Sequence, residues 1–253
     1  MPGLRRFQAD LGGLIKSRRK ISLPAALSPR KSMTPLQLHC CSMPDFHFES
    51  IHRVAGRTLI AGVDEAGRGP LAGPVVAGAV ILPRDFRNQW LDDSKKLTEA
   101  RRERLYAELT EDPRVRWASG LASVEEIDRL NILRATHLAM RRAVAALGGP
   151  EPEMVLIDGL PVRDFPWPQE AVVKGDALSL SIAAASIIAK VERDCLMLAL
   201  DKLFPDYQFA RHKGYGTALH LSALQLYGPS PHHRRSFQPV AQLSLDFGGG
   251  ADP

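Results

Sequence analysis

Acidic residues follow three short apolar stretches of this chain, each close to a glycine. Asp64 and Glu65 follow the first stretch, Asp158 follows the second, and Asp176 lies just beyond the third. Carboxylates that meet a few ångströms apart repel one another and raise each other's pKa unless cations neutralise them. Oxygen ligands without cysteine select Mg²⁺ or Mn²⁺ over zinc. The pattern predicts a divalent-metal site suited to phosphodiester hydrolysis, in which two ions hold the attacking and leaving oxygens.

Each acid alone has an ordinary explanation as a solvated loop carboxylate, and for Asp176 taken singly that explanation is the favoured one. The repetition of an acid at three strand ends is what favours the metal site. Glu65 presents a geometric difficulty, since neighbouring strand residues point to opposite faces of a sheet. We expect Glu65 either to lie beyond regular strand geometry or to contribute less directly than Asp64.

The elements that would position these acids are strands alternating with helices. The strands are predicted at residues 59–63, 75–82, 115–121, 154–157 and 171–173, and the longer helices at 99–109, 131–147, 181–204 and 217–227. The tight Gly- and Pro-rich connection between the first two strands implies an antiparallel pair. The later helical crossovers imply parallel pairs, so the fold class is α/β with a mixed sheet flanked by helices.

Several polar and aromatic residues outside the strand ends could contact a nucleic acid. The glycines of Gly67-Arg68-Gly69 would allow a ribose or phosphate to approach the backbone, although a plain turn is the alternative. Tyr215, between two glycines, is placed to stack on a sugar or base. The polar and basic side chains predicted to contact the substrate backbone, each of which could instead be surface charge, are Ser94, Lys95, Lys96, His212 and Lys213.

Composition places the chain among ordinary globular proteins, with 253 residues, 45% hydrophobic and 24% charged. No apolar run approaches the length of a membrane span, so we expect a soluble protein without membrane contact. The three cysteines, Cys40, Cys41 and Cys195, have no metal-ligand spacing. Their pattern is typical of a reducing compartment and favours a cytoplasmic location.

Positive charge is concentrated near the N-terminus. Residues 1–42 carry eight basic residues and one acid, a net +7, which leaves −2 on the remainder of a chain whose net charge is +5. We predict a disordered extension over residues 1–50. It could be a transit-like peptide, a nucleic-acid-binding arm or an over-long gene start upstream of Met43, and we favour the last. The domain predictions are a catalytic domain over 51–204, a small helical and basic part over 205–240, and a flexible tail over 241–253.

Motifs across the chain resemble the ribonuclease HII family, the type 2 ribonucleases H. The matching segments, from about residue 59 to 240, are GVDEAGRGPLAGPVV, DSKKL, NILRAT, VLIDG, VVKGD, IAAASIIAKVERD, HKGYGT and HHRRSF. The resemblance implies a ribonuclease H-like sheet with a small helical C-terminal part. It also implies endonucleolytic cleavage of RNA in RNA–DNA hybrids and incision 5′ to single ribonucleotides embedded in duplex DNA, leaving a 3′-hydroxyl and a 5′-phosphate.

The resemblance also implies roles for individual residues. Asp64, Glu65 and Asp158 would be ligands of Mn²⁺ or Mg²⁺, and Asp176 the fourth active-site acid. The turn 67–69 would recognise the 2′-hydroxyl, and Tyr215 would lie against the neighbouring sugar. A monomer is expected. Two rivals remain open at this point, namely a hybrid-binding module without catalysis and another metal-dependent nuclease on the same fold.

The last motif lies near the C-terminus. Gln242, Leu245 and Phe247 have the spacing of the short peptide by which bacterial replication and repair enzymes dock onto the sliding clamp. The alternative is that Leu243, Leu245 and Phe247 fold back onto the body, because their alternation has the period of a strand.

Overall fold

The centre of the fold is a mixed sheet. The computed structural model describes residues 43–88, 90, 91, 94, 95 and 97–243. Within that part of the chain the sheet order is β3-β2-β1-β4-β5, formed by β1 Ile60–Ala66, β2 Val75–Ile81, β3 Arg116–Ala122, β4 Met154–Asp158 and β5 Gln169–Val172. β2 pairs antiparallel with β1 and β3, whereas β4 pairs parallel with β1 and β5. The predicted mixed sheet is confirmed.

Helices cover both faces of this sheet. They are α1 His47–Val54, α2 Glu99–Glu111, α3 Val124–Leu130, α4 Ile132–Ala145, α5 Leu180–Leu203, α6 Phe209–His212 and α7 Ala218–Tyr227. Capping residues set several of their starts. Ser123 and Glu126 form a reciprocal capping box at the start of α3, and Thr217 caps α7.

The longest helix, α5, crosses the sheet at β1 and β2 at very short range. A Cβ atom on Gly62 would lie 2.1 Å from the backbone of Ser181, and one on Gly78 would lie 2.4 Å from the carbonyl oxygen of Ala185. The first turns of α5 are buried alanine, serine and isoleucine. Small residues on both partners therefore hold α5 against the two strands that lead into the acidic site.

The first described helix corrects the predicted extension. α1 begins at His47, so the prediction of disorder through residue 50 is wrong for its last residues, and residues 1–42 lie outside the described part. Glu49 of α1 is fully buried, and its Oε1 accepts from the Ser179 hydroxyl at 2.7 Å and the Ser181 amide at 2.9 Å. α1 therefore closes the N-terminal end of α5. The sequence analysis did not predict α1, because its eight residues form barely two helical turns and carry a weak periodic signal.

The C-terminal part is small and helical, as predicted. Residues 205–207 form a 3₁₀ turn, and α6 and α7 follow. Their apolar side chains share one cluster with Leu71 and Ala72 of the β1–β2 connection and with Met197 and Leu200 of α5. α5 ends at Leu203, next to the predicted boundary after residue 204, and the apolar packing continues across that point. The division into domains stays a prediction.

None of the helices in the described segments is both long and apolar enough to cross a membrane.

Candidate active site

Parallel pairing brings the acidic strand ends together. β1 and β4 run in register from Ile60 opposite Met154 to Val63 opposite Ile157, so Asp64 and Asp158 are the next residues of neighbouring strands. Asp176 lies on the 3₁₀ turn Gly175–Ala177 that follows β5. Asp64, Asp158 and Asp176 each offer an oxygen within 4.8 Å of the other two. Three of the four predicted acids therefore converge.

The charges of this cluster are unfavourable without a cation. Asp64 is only 4% exposed. Burial raises the pKa of its carboxyl well above the usual range, and the neighbouring charges of Glu65 and Asp158 raise it further. Burial also raises the pKa of Asp158, with the charge of Asp176 adding to it. A divalent ion would offset this repulsion, so the all-carboxylate donor set fits a hard divalent cation.

Backbone amides orient the carboxylates. Asp158 Oδ1 accepts from the Gly175 amide at 2.7 Å and more weakly from the Asp176 amide at 3.4 Å. Asp64 Oδ1 accepts from the Glu65 amide at 2.6 Å. One oxygen of each carboxylate is thus held by the backbone, which limits rotation of the side chain before any ligand arrives.

Glu65 lies next to the cluster without joining the three close oxygens. Its Oε1 is 3.3 Å from Arg68 Nη1, and its side chain is largely buried. Burial raises the pKa of the Glu65 carboxyl, and the Arg68 charge partly opposes that rise. The alternation of strand side chains explains the difference from Asp64, as anticipated from the sequence.

A cleft of about 250 Å³ opens beside the acids. Its described lining consists of Asp64, Glu65, Ala66, Gly67, Arg68, Gly69, Ser94, Lys95, Asp158, Lys190, Arg193 and Tyr215. Lys190 and Arg193 were not predicted as site residues. Both come from the α5 segment IAAASIIAKVERD, in which helical periodicity places them one turn apart, so a helical projection from the sequence could have found them. Lys190 is held by Asp194 at 2.8 Å.

The turn 67–69 forms one wall of the cleft. Gly67 has a φ of +96°, and a Cβ atom there would lie 1.9 Å from Nε of Arg193. Only glycine fits both constraints. Arg68 and Gly69 are exposed. The turn therefore presents backbone to the cleft, as the prediction for this motif requires.

Tyr215 faces the same cleft from the C-terminal part. It is 45% exposed, and its ring lies 5.9 Å from the Arg193 guanidinium carbon. A Cβ atom on Gly69 would be 3.8 Å from the ring, so the tyrosine and the turn border a shared space. Residues 212–216, the Tyr215 loop, carry it there.

His212 is the predicted contact that the structure contradicts. Its ring is 7% exposed, with Nε2 donating to the Tyr207 carbonyl at 2.8 Å and Nδ1 accepting from the Gly214 amide at 3.1 Å. It stacks on His220 with ring centroids 4.4 Å apart. Burial lowers the pKa of His212, so the ring is neutral at pH 7. The prediction of a direct phosphate contact is wrong, because the ring is buried and its two nitrogens already bond to Tyr207 and Gly214.

The remaining predicted contacts have different environments. The Lys95 ammonium lies 3.1 Å from Asp176 Oδ2, and Ser94 is buried in the cleft wall. Lys213 is partly buried, and its ammonium donates to the Ala210 carbonyl. Lys96 lies outside the described residues, as do Leu245 and Phe247 of the C-terminal motif. Gln242 is exposed at the end of the described chain.

Comparison with known proteins agrees with this architecture. The family model for ribonuclease HII matches residues 61–240. Ribonuclease HII from Desulfitobacterium hafniense is 58% identical over 74% of this chain and 71% of its own length. Ribonuclease HII from Ruegeria pomeroyi is 53% identical over 89% of this chain and 95% of its own length. The solved structure of the PCNA:RNase HII complex from Archaeoglobus fulgidus has a TM-score of 0.60 at 25% identity, covering 72% of this chain and 96% of that one.

The fold and the acidic cleft define a nuclease of the ribonuclease H type. This chain belongs to the ribonuclease HII family. It is therefore a ribonuclease H, a divalent-metal-dependent hydrolase of RNA–DNA hybrids, and the cluster Asp64, Asp158 and Asp176 is the part of the described chain that suits the metal.

Proposed function

We propose that this enzyme cleaves 5′ to ribonucleotides in RNA–DNA hybrids and 5′ to a single ribonucleotide embedded in duplex DNA, by a two-metal-ion hydrolysis. The observation that carries the proposal is that a cluster of carboxylates suited to a metal ion, the turn 67–69 and Tyr215 all border one cleft. A reacting phosphate and the ribose beside it would occupy that cleft together. Incision of this kind would begin the removal of misincorporated ribonucleotides.

The four acids have different proposed roles in binding the metal ions. Asp64, Glu65 and Asp158 are the proposed ligands, and Asp176 is the fourth acid of the site. Mn²⁺ or Mg²⁺ bound there would supply Lewis acidity at the scissile phosphate. The Asp158 carboxylate is already oriented by the Gly175 amide, so little reorganisation is required of it on binding.

Cationic side chains would attract the phosphate backbone toward the acids. Lys95 reaches the cluster from the edge of the cleft, and Lys190 lies in its lining. In the absence of other cations Lys95 pairs with Asp176, and we propose that it turns to a phosphate oxygen when an ion neutralises that acid. Arg68, half exposed beside Glu65, would make the same exchange.

Recognition of ribose is assigned to the turn and the tyrosine. A hydroxyl at the 2′ position is the chemical difference between RNA and DNA at such a site. The backbone at the exposed residues Arg68 and Gly69 can hydrogen-bond that hydroxyl, and Tyr215 can pack on the adjoining sugar. A deoxyribose would leave the backbone groups unsatisfied, which would disfavour all-DNA duplexes.

The test is a DNA duplex with one embedded ribonucleotide, incubated with Mg²⁺ or Mn²⁺, with the cut position and end groups mapped. We expect a single incision 5′ to the ribonucleotide, no cutting of the all-DNA control and no cutting in EDTA. Equal cutting of the all-DNA duplex would point to a different nuclease on this fold. Binding of the hybrid without any cutting would point to a non-catalytic module.

We further propose that the C-terminal motif docks onto a sliding clamp. Gln242 is exposed, whereas Leu243 packs against the C-terminal apolar cluster, so the body of the protein holds the peptide up to residue 243. The related Archaeoglobus fulgidus enzyme was solved as a complex with PCNA. Titration of a bacterial clamp should show binding by the wild type and loss of binding in the Leu245→Ala/Phe247→Ala double variant. Equal binding by both proteins would show that the motif does not mediate docking. We also propose that the enzyme is a monomer, which light scattering of the same samples tests.

A further inference from the structure

Two arginines lie fully buried beneath the turn 67–69. Arg193 is 1% exposed and Arg234 is 0% exposed. Among the described residues, no carboxylate forms an ion pair with either guanidinium, and all of their hydrogen bonds go to backbone carbonyls. Arg193 donates to the carbonyl oxygens of Ala72, Pro74 and Lys213, and Arg234 donates to those of Gly67, Arg68 and Gly73.

A buried cation without a counter-ion is unfavourable, because it loses its hydration. Apolar side chains of similar volume fill such space at lower cost. What a guanidinium supplies instead is a rigid planar set of N–H donors that reaches several acceptors at once. Six carbonyls are accordingly held in fixed directions, and five of them belong to the connection between β1 and β2.

The directions of two of these carbonyls determine which backbone groups of the turn face the cleft. The Gly67 and Arg68 carbonyls turn inward to Arg234, at 2.6 and 2.8 Å. In a planar trans peptide the N–H of the next residue points the opposite way. The amides of Arg68 and Gly69 therefore point away from Arg234 on the cleft side. Within the described chain neither amide has an acceptor. Two successive outward amides form a small concavity suited to an oxygen ligand.

Arg193 connects this turn to the Tyr215 loop. Its Nε and Cδ atoms lie so close to Gly67 that a Cβ atom there would overlap them. Its Nη1 holds the carbonyl of Lys213 at 3.0 Å, and its guanidinium faces the Tyr215 ring. One side chain therefore sets the distance between the turn and the tyrosine, the two groups that border the ribose space.

We propose that Arg193 and Arg234 are positioning residues for ribose recognition. Neither touches substrate. Arg234 aims the Arg68 and Gly69 amides at the ribose, and Arg193 keeps Tyr215 at the matching distance. The proposal rests on the proposed function, since it assigns the origin of the ribose preference that the function requires.

The test uses Arg234→Lys and Arg193→Lys, which keep a long side chain with a terminal nitrogen donor but cannot reach three carbonyls in one plane. Arg142→Lys is the matched control, because Arg142 also holds a backbone carbonyl, that of Leu121, but on α4 and away from the cleft. All are made in full-length Asp158→Asn protein to prevent cutting. Circular dichroism and thermal melting establish that each protein is folded.

The measurement is the ratio of dissociation constants for the all-DNA duplex and the duplex with one ribonucleotide. We expect the Asp158→Asn parent and the Arg142→Lys control to bind the ribonucleotide duplex more tightly than the all-DNA duplex. In the Arg234→Lys and Arg193→Lys proteins the ratio of dissociation constants should fall about tenfold. Their affinity for the all-DNA duplex should be unchanged. A general loss of stability would not alter the ratio in folded protein.

Two results would overturn the proposal. One is an unchanged ratio in folded Arg234→Lys and Arg193→Lys proteins, and the other is a parent that binds both duplexes equally. If the wild type also fails to incise the single-ribonucleotide duplex, the proposed function fails. If it incises normally while the ratios stay unchanged, only the role of the two arginines fails.

Discussion

Asp64 occupies a buried position beside Asp158 and Glu65, and burial together with these charges raises the pKa of its carboxyl. Its ionised form is therefore unfavourable in the folded chain without a cation. Without a cation, a neutral side chain of the same shape would make the folded state more stable than the charged carboxylate does. Stability and catalysis consequently make opposite demands on this residue, as is usual where a site is arranged for a charged ligand.

Asp64→Asn tests that opposition. We expect cleavage to be abolished, while the metal-free free energy of unfolding at pH 7 stays equal to wild type or rises by about 1 kcal/mol, because a like-charge repulsion is removed. Activity assays and urea denaturation in EDTA measure the two effects. Asp112→Asn, on the surface beside Arg114, is the control that should retain activity. Near-normal turnover in Asp64→Asn, or a large fall in its stability, would contradict the assignment.

At the scale of elements, a hydrogen-bonded chain of buried histidines holds the Tyr215 loop in place. His220 Nδ1 donates to the Tyr215 carbonyl at 2.9 Å, so its Nε2 must accept from His233 Nε2, also at 2.9 Å. His233 Nδ1 then accepts from the Ser230 amide at 2.9 Å. Each ring carries one proton in a fixed position. Protonation of either ring would set two donors against each other, so the loop depends on neutral histidines.

Because these histidines must stay neutral, we predict that the folded state loses stability in acid. Burial lowers the pKa of His220 to about 4 and that of His233 to about 3, against 6.5 in the unfolded chain. As the pH falls below 6.5, the unfolded chain takes up protons that the folded chain excludes. The free energy of unfolding should therefore fall toward pH 4, by up to about 1.4 kcal/mol per pH unit for each histidine.

Urea denaturation of wild type and His233→Gln between pH 7 and pH 4 measures this slope. The variant should show a shallower loss, since it lacks one of the two excluded protons, and it should be less stable at pH 7. His47→Gln, at an exposed position of α1, serves as the control for the loss of a histidine outside this cluster. Parallel curves for wild type and His233→Gln would show that His233 does not exclude a proton.

At the scale of the whole molecule, the N-terminal region divides into two parts with different predicted effects. Residues 1–42 carry the net +7, whereas α1 belongs to the folded body through Glu49. Deletion of 1–42 should leave catalysis intact at moderate salt and reduce non-specific DNA affinity at low salt, because fewer phosphates are neutralised. Deletion of 1–54 should destabilise the protein by about 2 kcal/mol or more, since the Ser179 and Ser181 groups lose their buried acceptor.

The comparison requires kcat/KM, a salt titration of DNA binding and a melting curve for each truncation. A 1–42 deletion that folds but fails to cut would assign the extension a direct role in catalysis. A 1–54 deletion as stable as the full chain would show that α1 is dispensable. Glu49→Gln is the matched point variant, because it keeps the side-chain shape while weakening both hydrogen bonds.

The amino-acid sequence alone indicated the five strands, the longer helices between them and the acids at the strand ends, but not the short helix α1. Strand and helix periodicity are local properties, so the sequence could place acids at strand ends. The structure then showed that β1 and β4 are parallel neighbours, which brings Asp64 and Asp158 together. The small residues that allow close packing were also visible, because their effect depends on size alone. The family motifs pointed to the same cleft.

Tertiary structure alone decided which charged residues are buried. In sequence, His212, His233 and Arg234 belong to basic segments typical of a surface, yet the fold places them inside, where backbone partners replace water. Burial depends on which distant segments cover a residue, and no local pattern encodes that. The carbonyls that bind Arg234 lie more than 160 positions earlier in the chain. Hence the metal site was predictable from strand ends, whereas the arginines beneath the turn became visible only once the chain had closed over them.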